Sequence, residues 1–463
     1  MRTFVLSTVA ACGLASSAHA GIASAIFAET GPKAVAPGMG GLTFTAFDRP
    51  YRSANGQHWI ITATVNTGNT ATDELVITGM GAAGTTRAQE GVSTLGGNVI
   101  RSGSIDTLCS VNDSGDYAFT ANNGPTTSTL NDVIVKGVGS ALAIAPNAAS
   151  NLAPPGLGGP NNGTSLTSAN IDNAGRTSWR TAGIPGAATG QSRALLRQDG
   201  TVLDGRSGVT IPGGLLAGTE STVNDWDTQG YSVAANGTNW LVYGDTNFAT
   251  TTQDNFLAVN GTAVVQEGVT SIAGGTASLI NEAYMQGDGT WWARGSNTTG
   301  TGSGDWVIFG DATGSYAVRA MTDAPIVPGA TELWDDTLFG QTFFMAASND
   351  AGDSVVGGVT NNADEGRNAV LVWQGADGSA WAFLREGDAI DLDGNGLLDD
   401  NAFISIFNND DCFLAGDTFY FTGDIVDGAG VGLGQAFMSV TVPTPGALAL
   451  LGLGGLFAAR RRR

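Results

Sequence analysis

The chain has 463 residues, 42 acidic and 20 basic, for a formal net charge of −22, with 69 glycines and only two lysines, Lys33 and Lys136. An apolar fraction of 42% is enough to build a core, which excludes wholesale disorder. So much Gly, Asn, Thr and Ser suits short strands and tight turns rather than long helices, and so acidic a surface argues against nucleic acid as a partner.

Residues 1–20, MRTFVLSTVAACGLASSAHA, carry a basic start at Arg2, an apolar stretch and the small-residue site Ala18-His19-Ala20. This is the layout of a secretory signal peptide, with cleavage by signal peptidase expected after Ala20. Without Arg2 and the C-terminal Arg460 to Arg463, 15 basic residues face 42 acidic ones, a net charge of −27 on the mature chain.

From here to residue 441 one pattern recurs, an Asn/Asp-x-Gly turn signal followed by an alternating strand. The copies precede QHWIITATV, DYAFTA, RTSWRT, YSVAAN, TWWARG, DSVVGGV and TFYFTG, with glycines at 56, 115, 175, 230, 289, 352 and 416. Their spacings of 59, 60, 55, 59, 63 and 64 define seven units of about 60 residues. Each unit holds about four short strands, which suits a blade of a β-propeller. The seventh unit lacks its third strand, and the mature N-terminus, AIFAETGPKAVAPGMGG, has the character of the missing piece. The fold class expected is therefore all-β: a propeller of seven four-stranded blades over residues 21–441, with the N-terminal strand closing the last blade. A β-sandwich array is the alternative. Closure would hide edges that otherwise template aggregation.

Chemistry-bearing residues are few. His58 is the one histidine of the mature chain, and its place at a strand start suits packing. No nucleophile elbow, phosphate loop or zinc spacing is present, so no catalytic or cofactor-binding residue is expected. Cys109 and Cys412 fall in equivalent parts of two units; they either form one disulfide across a closed ring or remain two buried thiols. The tryptophans, among them Trp291, Trp292, Trp373 and Trp381, either stack on sugars or fill blade cores. The acidic stretch Asn408 to Phe413 reads as a solvated loop face or a second cation site.

The sharpest local motif is Asp391-Leu392-Asp393-Gly394-Asn395-Gly396-Leu397-Leu398-Asp399-Asp400. It resembles the calcium loops of EF-hand, dockerin and thrombospondin-type repeats. The resemblance implies calcium held by the side chains of Asp391, Asp393 and Asn395, the Leu397 carbonyl, and Asp399. Position twelve is Ala402 where an EF-hand has a bidentate Glu, so modest affinity is implied.

The chain ends VPTPGALALLGLGGLFAARRRR, in which Pro443-Thr444-Pro445 precedes about 14 apolar and small residues and four arginines. Residues 442–463 resemble a PEP-CTERM sorting signal, with Pro-Thr-Pro in place of the usual Pro-Glu-Pro. The units between resemble propeller-like repeats of exported bacterial proteins that carry such tails. The resemblance implies an exosortase-type partner, transient membrane contact through the tail, and a place at the cell surface, outer envelope or extracellular matrix. The expected function is that of a non-enzymatic structural or interaction protein, calcium-stabilised and associated with envelope or exopolysaccharide. A carbohydrate- or protein-binding propeller is the alternative. Paired carboxylates with aromatic platforms at a channel mouth would favour a third reading, a polysaccharide-degrading enzyme.

Overall fold

The computed structural model describes residues 21–442 except 102, 125–130, 155–160, 164, 185–192, 205–222, 247–250, 299–303 and 336–340. The expected leader, residues 1–20, and the expected sorting tail beyond Val442 lie outside the described residues. Seven antiparallel sheets of four main strands follow one another along the chain, as a seven-bladed propeller requires. The innermost strands are Phe44–Phe47, Ser110–Val111, Ser165–Ile171, Val223–Val233, Gly275–Met285, Phe343–Ser348 and Ala402–Ala415, one each for blades I to VII. Seven buried apolar clusters lie one between each pair of adjacent blades. The core is thus spread around the ring, with no single centre.

Blade VII has the expected closure. Its strands Ala402–Ala415, Thr418–Asp427 and Gly432–Thr441 are completed by Ala23–Ala28, which pairs antiparallel with the third, Ala23 opposite Val440 and Ala28 opposite Ala436. Glu29 then sits where Glu90, Glu267 and Glu386 end the outermost strands of blades I, IV and VI. Burial pushes all four carboxyls up.

The turn signals form one repeated device. The turn glycine donates to the carbonyl three residues back, Gly115 to Asn112, Gly175 to Asp172, Gly289 to Gln286 and Gly352 to Asn349, at 2.9–3.1 Å. These glycines have φ between +71° and +90°, where a side chain is strained. One copy is corrected. Gly230 lies inside the inner strand Val223–Val233, and the turn of that unit is Asn236-Gly237, with Gly237 at φ +67°. Asp227 to Gly230 has turn composition but forms a bulge within the strand, between the paired residues Trp226 and Tyr231.

Trp291, Trp292 and Trp373 are core, and Trp381 packs half-buried against the cluster between blades VI and VII. Trp59, Tyr117 and Trp291 each stand on a second strand directly opposite a glycine, Gly79, Gly137 and Gly310. Each also donates past it, to the carbonyls of Gly81 at 2.9 Å, Gly139 at 3.2 Å and Asp311 at 2.7 Å. A Cβ on any of these glycines would enter the facing ring. Gly310→Ala is expected to destabilise by about 1–3 kcal/mol through overpacking against Trp291, read by denaturant unfolding; an unchanged midpoint would remove the aromatic-on-glycine account.

Candidate functional site

Two regions gather polar chemistry. The first is the acidic loop. The carboxylate oxygens of Asp391, Asp393 and Asp400 lie within 4.8 Å of one another. Asp400, not Asp399, joins the group; Asp399 is exposed, as are Asn395 and Leu397. Asp391 is 1% exposed. Its carboxylate accepts from the amides of Gly394, Asn395 and Gly396 and from Ser24 Oγ, at 2.7–3.0 Å. Burial alone would raise this carboxyl, but those donors hold it below the usual aspartate range. Four donors fill the lone pairs of Asp391. Spare acceptor capacity for a cation therefore lies on Asp393 and Asp400, which receive fewer donors. The loop also braces the ring closure: Asp391 N donates to Ala23 O and Ala25 N to Asp391 O, each at 2.9 Å, along the edge of the closing strand.

The second region is the propeller axis. At one end the turns meet and bond to one another. Asn55 N donates to Asp113 Oδ1 at 2.8 Å, Asp113 N to Asn173 Oδ1 at 3.0 Å, Asn173 N to Ala235 O at 2.7 Å and Ala235 N to Gly287 O at 2.7 Å. Asn349 Nδ2 reaches Gly416 O at 2.7 Å between blades VI and VII. Arg52, 8% exposed, closes the centre by donating to Ala54 O at 2.6 Å and, from blade I to blade VI, to Ser348 O at 3.2 Å. His58 belongs to this ring, packed against Gly115 of the next turn.

Away from this seal lies a cavity of about 360 Å³ lined by residues of blades I, II, V and VII, among them Asp48, Arg49, Tyr51, Glu282, Asp410 and Asp411. Bulges place them there. The inner strands slip register between Phe44 and Ala46, Ile280 and Glu282, and Phe407 and Cys412. An inner-strand bulge re-aims side chains toward the axis. Asp410 sits at φ +58°, a left-handed conformation unusual for a side chain. The expectation of a solvated face at Asn408–Phe413 is corrected: Asp410 is 6% exposed and forms a forked ion pair with Arg294. Arg294 also donates to Phe343 O at 3.0 Å.

Arg49 pairs with Glu282 at 3.0 Å while its guanidinium lies 5.1–5.6 Å from the ring centres of Tyr51, Tyr284 and Trp292. Flat cation–ring contacts of this kind hold a guanidinium where water is scarce. The Tyr51 hydroxyl is buried with no hydrogen-bond partner. The two thiols stand apart and unpaired, Cys109 in the cluster between blades I and II and Cys412 in that between VI and VII.

Burial pushes Glu282 and Asp411 up to about 7, against the pull of Arg49 on each. Unfolded carboxyls titrate near 4. Between about pH 4 and pH 7 the folded state therefore binds more protons, and stability falls as pH rises through that window. The melting temperature is expected to be higher at pH 5 than at pH 8, with a shallower slope in Asp411→Asn. The same slope in the variant would remove Asp411 as a cause.

No family model and no curated protein matches the chain. Among solved structures, the propeller domain of a trilobed protease from Pyrococcus furiosus aligns with 9% identity and a TM-score of 0.42, over 84% of this chain and 94% of that one. A polysaccharide lyase aligns with 9% identity and a TM-score of 0.43, over 92% and 98%. A puromycin hydrolase aligns with 12% identity and a TM-score of 0.41, over 83% of this chain; the chain spans about half of that protein, 53%.

Proposed function

We propose that this is an exported, surface-associated binding propeller, and that its ligand enters the axial cavity from the mouth opposite the turn seal. The observation that carries this is the cavity itself, polar and built from four blades, with Asp48 and Asp411 left without an ion pair in its lining. Carboxylate and amide side chains on several blades offer a hydroxyl-rich ligand, such as a unit of exopolysaccharide, the hydrogen bonds it needs. The leader and the PEP-CTERM-type tail support export by signal peptidase and sorting by an exosortase-type enzyme. A panel of mono- and oligosaccharides titrated into residues 21–442, which contain the whole ring, should yield binders that Asn281→Ala/Asn409→Ala weakens at least tenfold. Binding that ignores those changes would put the site elsewhere.

Calcium belongs to the same proposal as a brace for the closing strand, with carboxylates from Asp393 and Asp400 beside Asp391 and the Leu397 carbonyl. At a hundredfold excess over its dissociation constant, a ligand specific for the folded state adds about 2.7 kcal/mol. Melting with calcium against chelator should therefore shift by a few degrees and lose the shift in Asp393→Ala/Asp400→Ala. No shift would leave the loop as a turn capped by its own amides.

A second reading has its own observation. Glu282 and Asp411, two carboxyls that burial pushes up, line one cavity, the pairing of groups that general acid and base work needs. Glycan cleavage would release new reducing or unsaturated ends, and a wild-type chain that releases none supports binding without chemistry.

A further inference from the structure

We propose that the axial cavity takes a primary ammonium group on its ligand, held between Asp48 and Asp411. The inference rests on the binding reading above and names the chemistry the site selects.

The charges around the cavity pair off unevenly. Four carboxylates, Asp48, Glu282, Asp410 and Asp411, share the lining with two guanidiniums, Arg49 and Arg294. Glu282 takes Arg49 and Asp410 takes Arg294. Asp48 and Asp411 are left over. Each has a threonine hydroxyl as its side-chain partner, Thr62 Oγ1 to Asp48 Oδ2 at 2.7 Å and Thr422 Oγ1 to Asp411 Oδ2 at 3.2 Å. They are close enough for the charge on Asp48 to oppose ionisation of Asp411, and burial pushes both carboxyls up. Arg49 pulls on Asp411 without pairing with it, and two carboxylates with no ion pair of their own are costly in a partly dry site.

Other ligand classes fit less well. An anion would meet two committed guanidiniums and two uncompensated carboxylates. A neutral polyol would fill the space but leave the charge. A metal ion needs several carboxylate oxygens converging on one point, and among the described residues the three-carboxylate group is the one at Asp391, Asp393 and Asp400. An ammonium supplies one charge and three donors. Two of them reach Asp48 and Asp411. The third stays available to the polar side chains of the same lining, Asn281 and Asn409. The volume is in the range of small-molecule sites.

The test is calorimetric titration of residues 21–442 with glucosamine, N-acetylglucosamine, glucose and lysine amide. Glucosamine is expected to bind at least tenfold tighter than its acetylated and neutral counterparts, and Asp48→Asn/Asp411→Asn is expected to abolish the difference. That variant removes a repulsion, so its melting temperature at pH 8 should not fall, which separates loss of binding from loss of fold. Lysine amide binding more tightly than glucosamine would keep the ammonium and assign it to a protein ligand; the reverse assigns it to an amino sugar. Equal binding of all three sugars would overturn the ammonium inference and leave the cavity reading standing. Amine binding that persists in the double variant would also overturn it, as attraction to the acidic surface at large. Binding of none would overturn both.

Discussion

A chain that begins at residue 31 is expected to lose cooperative folding, and a synthetic peptide of residues 21–31 is expected to restore it in trans. The closing strand buries Ala23, Ala25, Ile26, Phe27 and Ala28 and fills the whole outer edge of blade VII. Phe27 alone touches three rings, with centroids 5.1 Å from Phe44, 6.0 Å from Trp59 and 6.5 Å from Phe437. Removing one such side chain costs about 3–5 kcal/mol, out of the 5–15 kcal/mol that typically separates folded from unfolded chains. Phe27→Ala should therefore give a large fall in the denaturation midpoint, and the full deletion should give no transition. Near-UV circular dichroism and denaturant titration read both. A truncated chain that melts like the whole one would mean that the ring does not depend on its closing strand.

Breaking the axial ion pair should be nearly as severe. Arg294→Met leaves Asp410 as a buried carboxylate with no ion-pair partner, at a cost of about 3–5 kcal/mol. Asp410→Asn should cost less than this, because Asn tolerates the left-handed backbone and still accepts from the guanidinium. The double variant Arg294→Met/Asp410→Asn removes both charges and should be more stable than Arg294→Met alone. The cycle of four proteins, measured by urea unfolding, should show a coupling well above 1 kcal/mol. Strict additivity would mean that the pair carries no structural weight and that blade packing alone fixes the bulge.

The architecture was legible because its signals are local. A glycine that must adopt positive φ is visible wherever a turn recurs, and six of the seven turn glycines stand where the spacing puts them. The missing third strand of unit seven and its match at the N-terminus fixed the closure, since an unpaired edge must be covered. The fourth unit misled because Asp227 to Gly230 imitates a turn, while its own signal, Asn236-Gly237, lies seven residues further on. The axial site was not legible. Arg49, Glu282, Arg294 and Asp410 stand up to 361 positions apart, and only ring closure brings them together. A faint signal does exist: a polar pair interrupts three inner strands shortly before the turn, as Asp48-Arg49, Asn281-Glu282 and Asp410-Asp411. The acidic loop was legible as a motif, but which aspartate folds inward was not. Asp400 is drawn in by the Leu392 and Asp393 amides, and sequence spacing alone favoured Asp399.

The most direct test of the account is amide hydrogen exchange of residues 21–442 with and without the tightest-binding saccharide or amine. Added protection is expected at residues 48–51, 281–282 and 409–411, three segments far apart in sequence that line one cavity. Protection confined to the 391–400 loop or to outer strands, with those three segments unchanged, would contradict it.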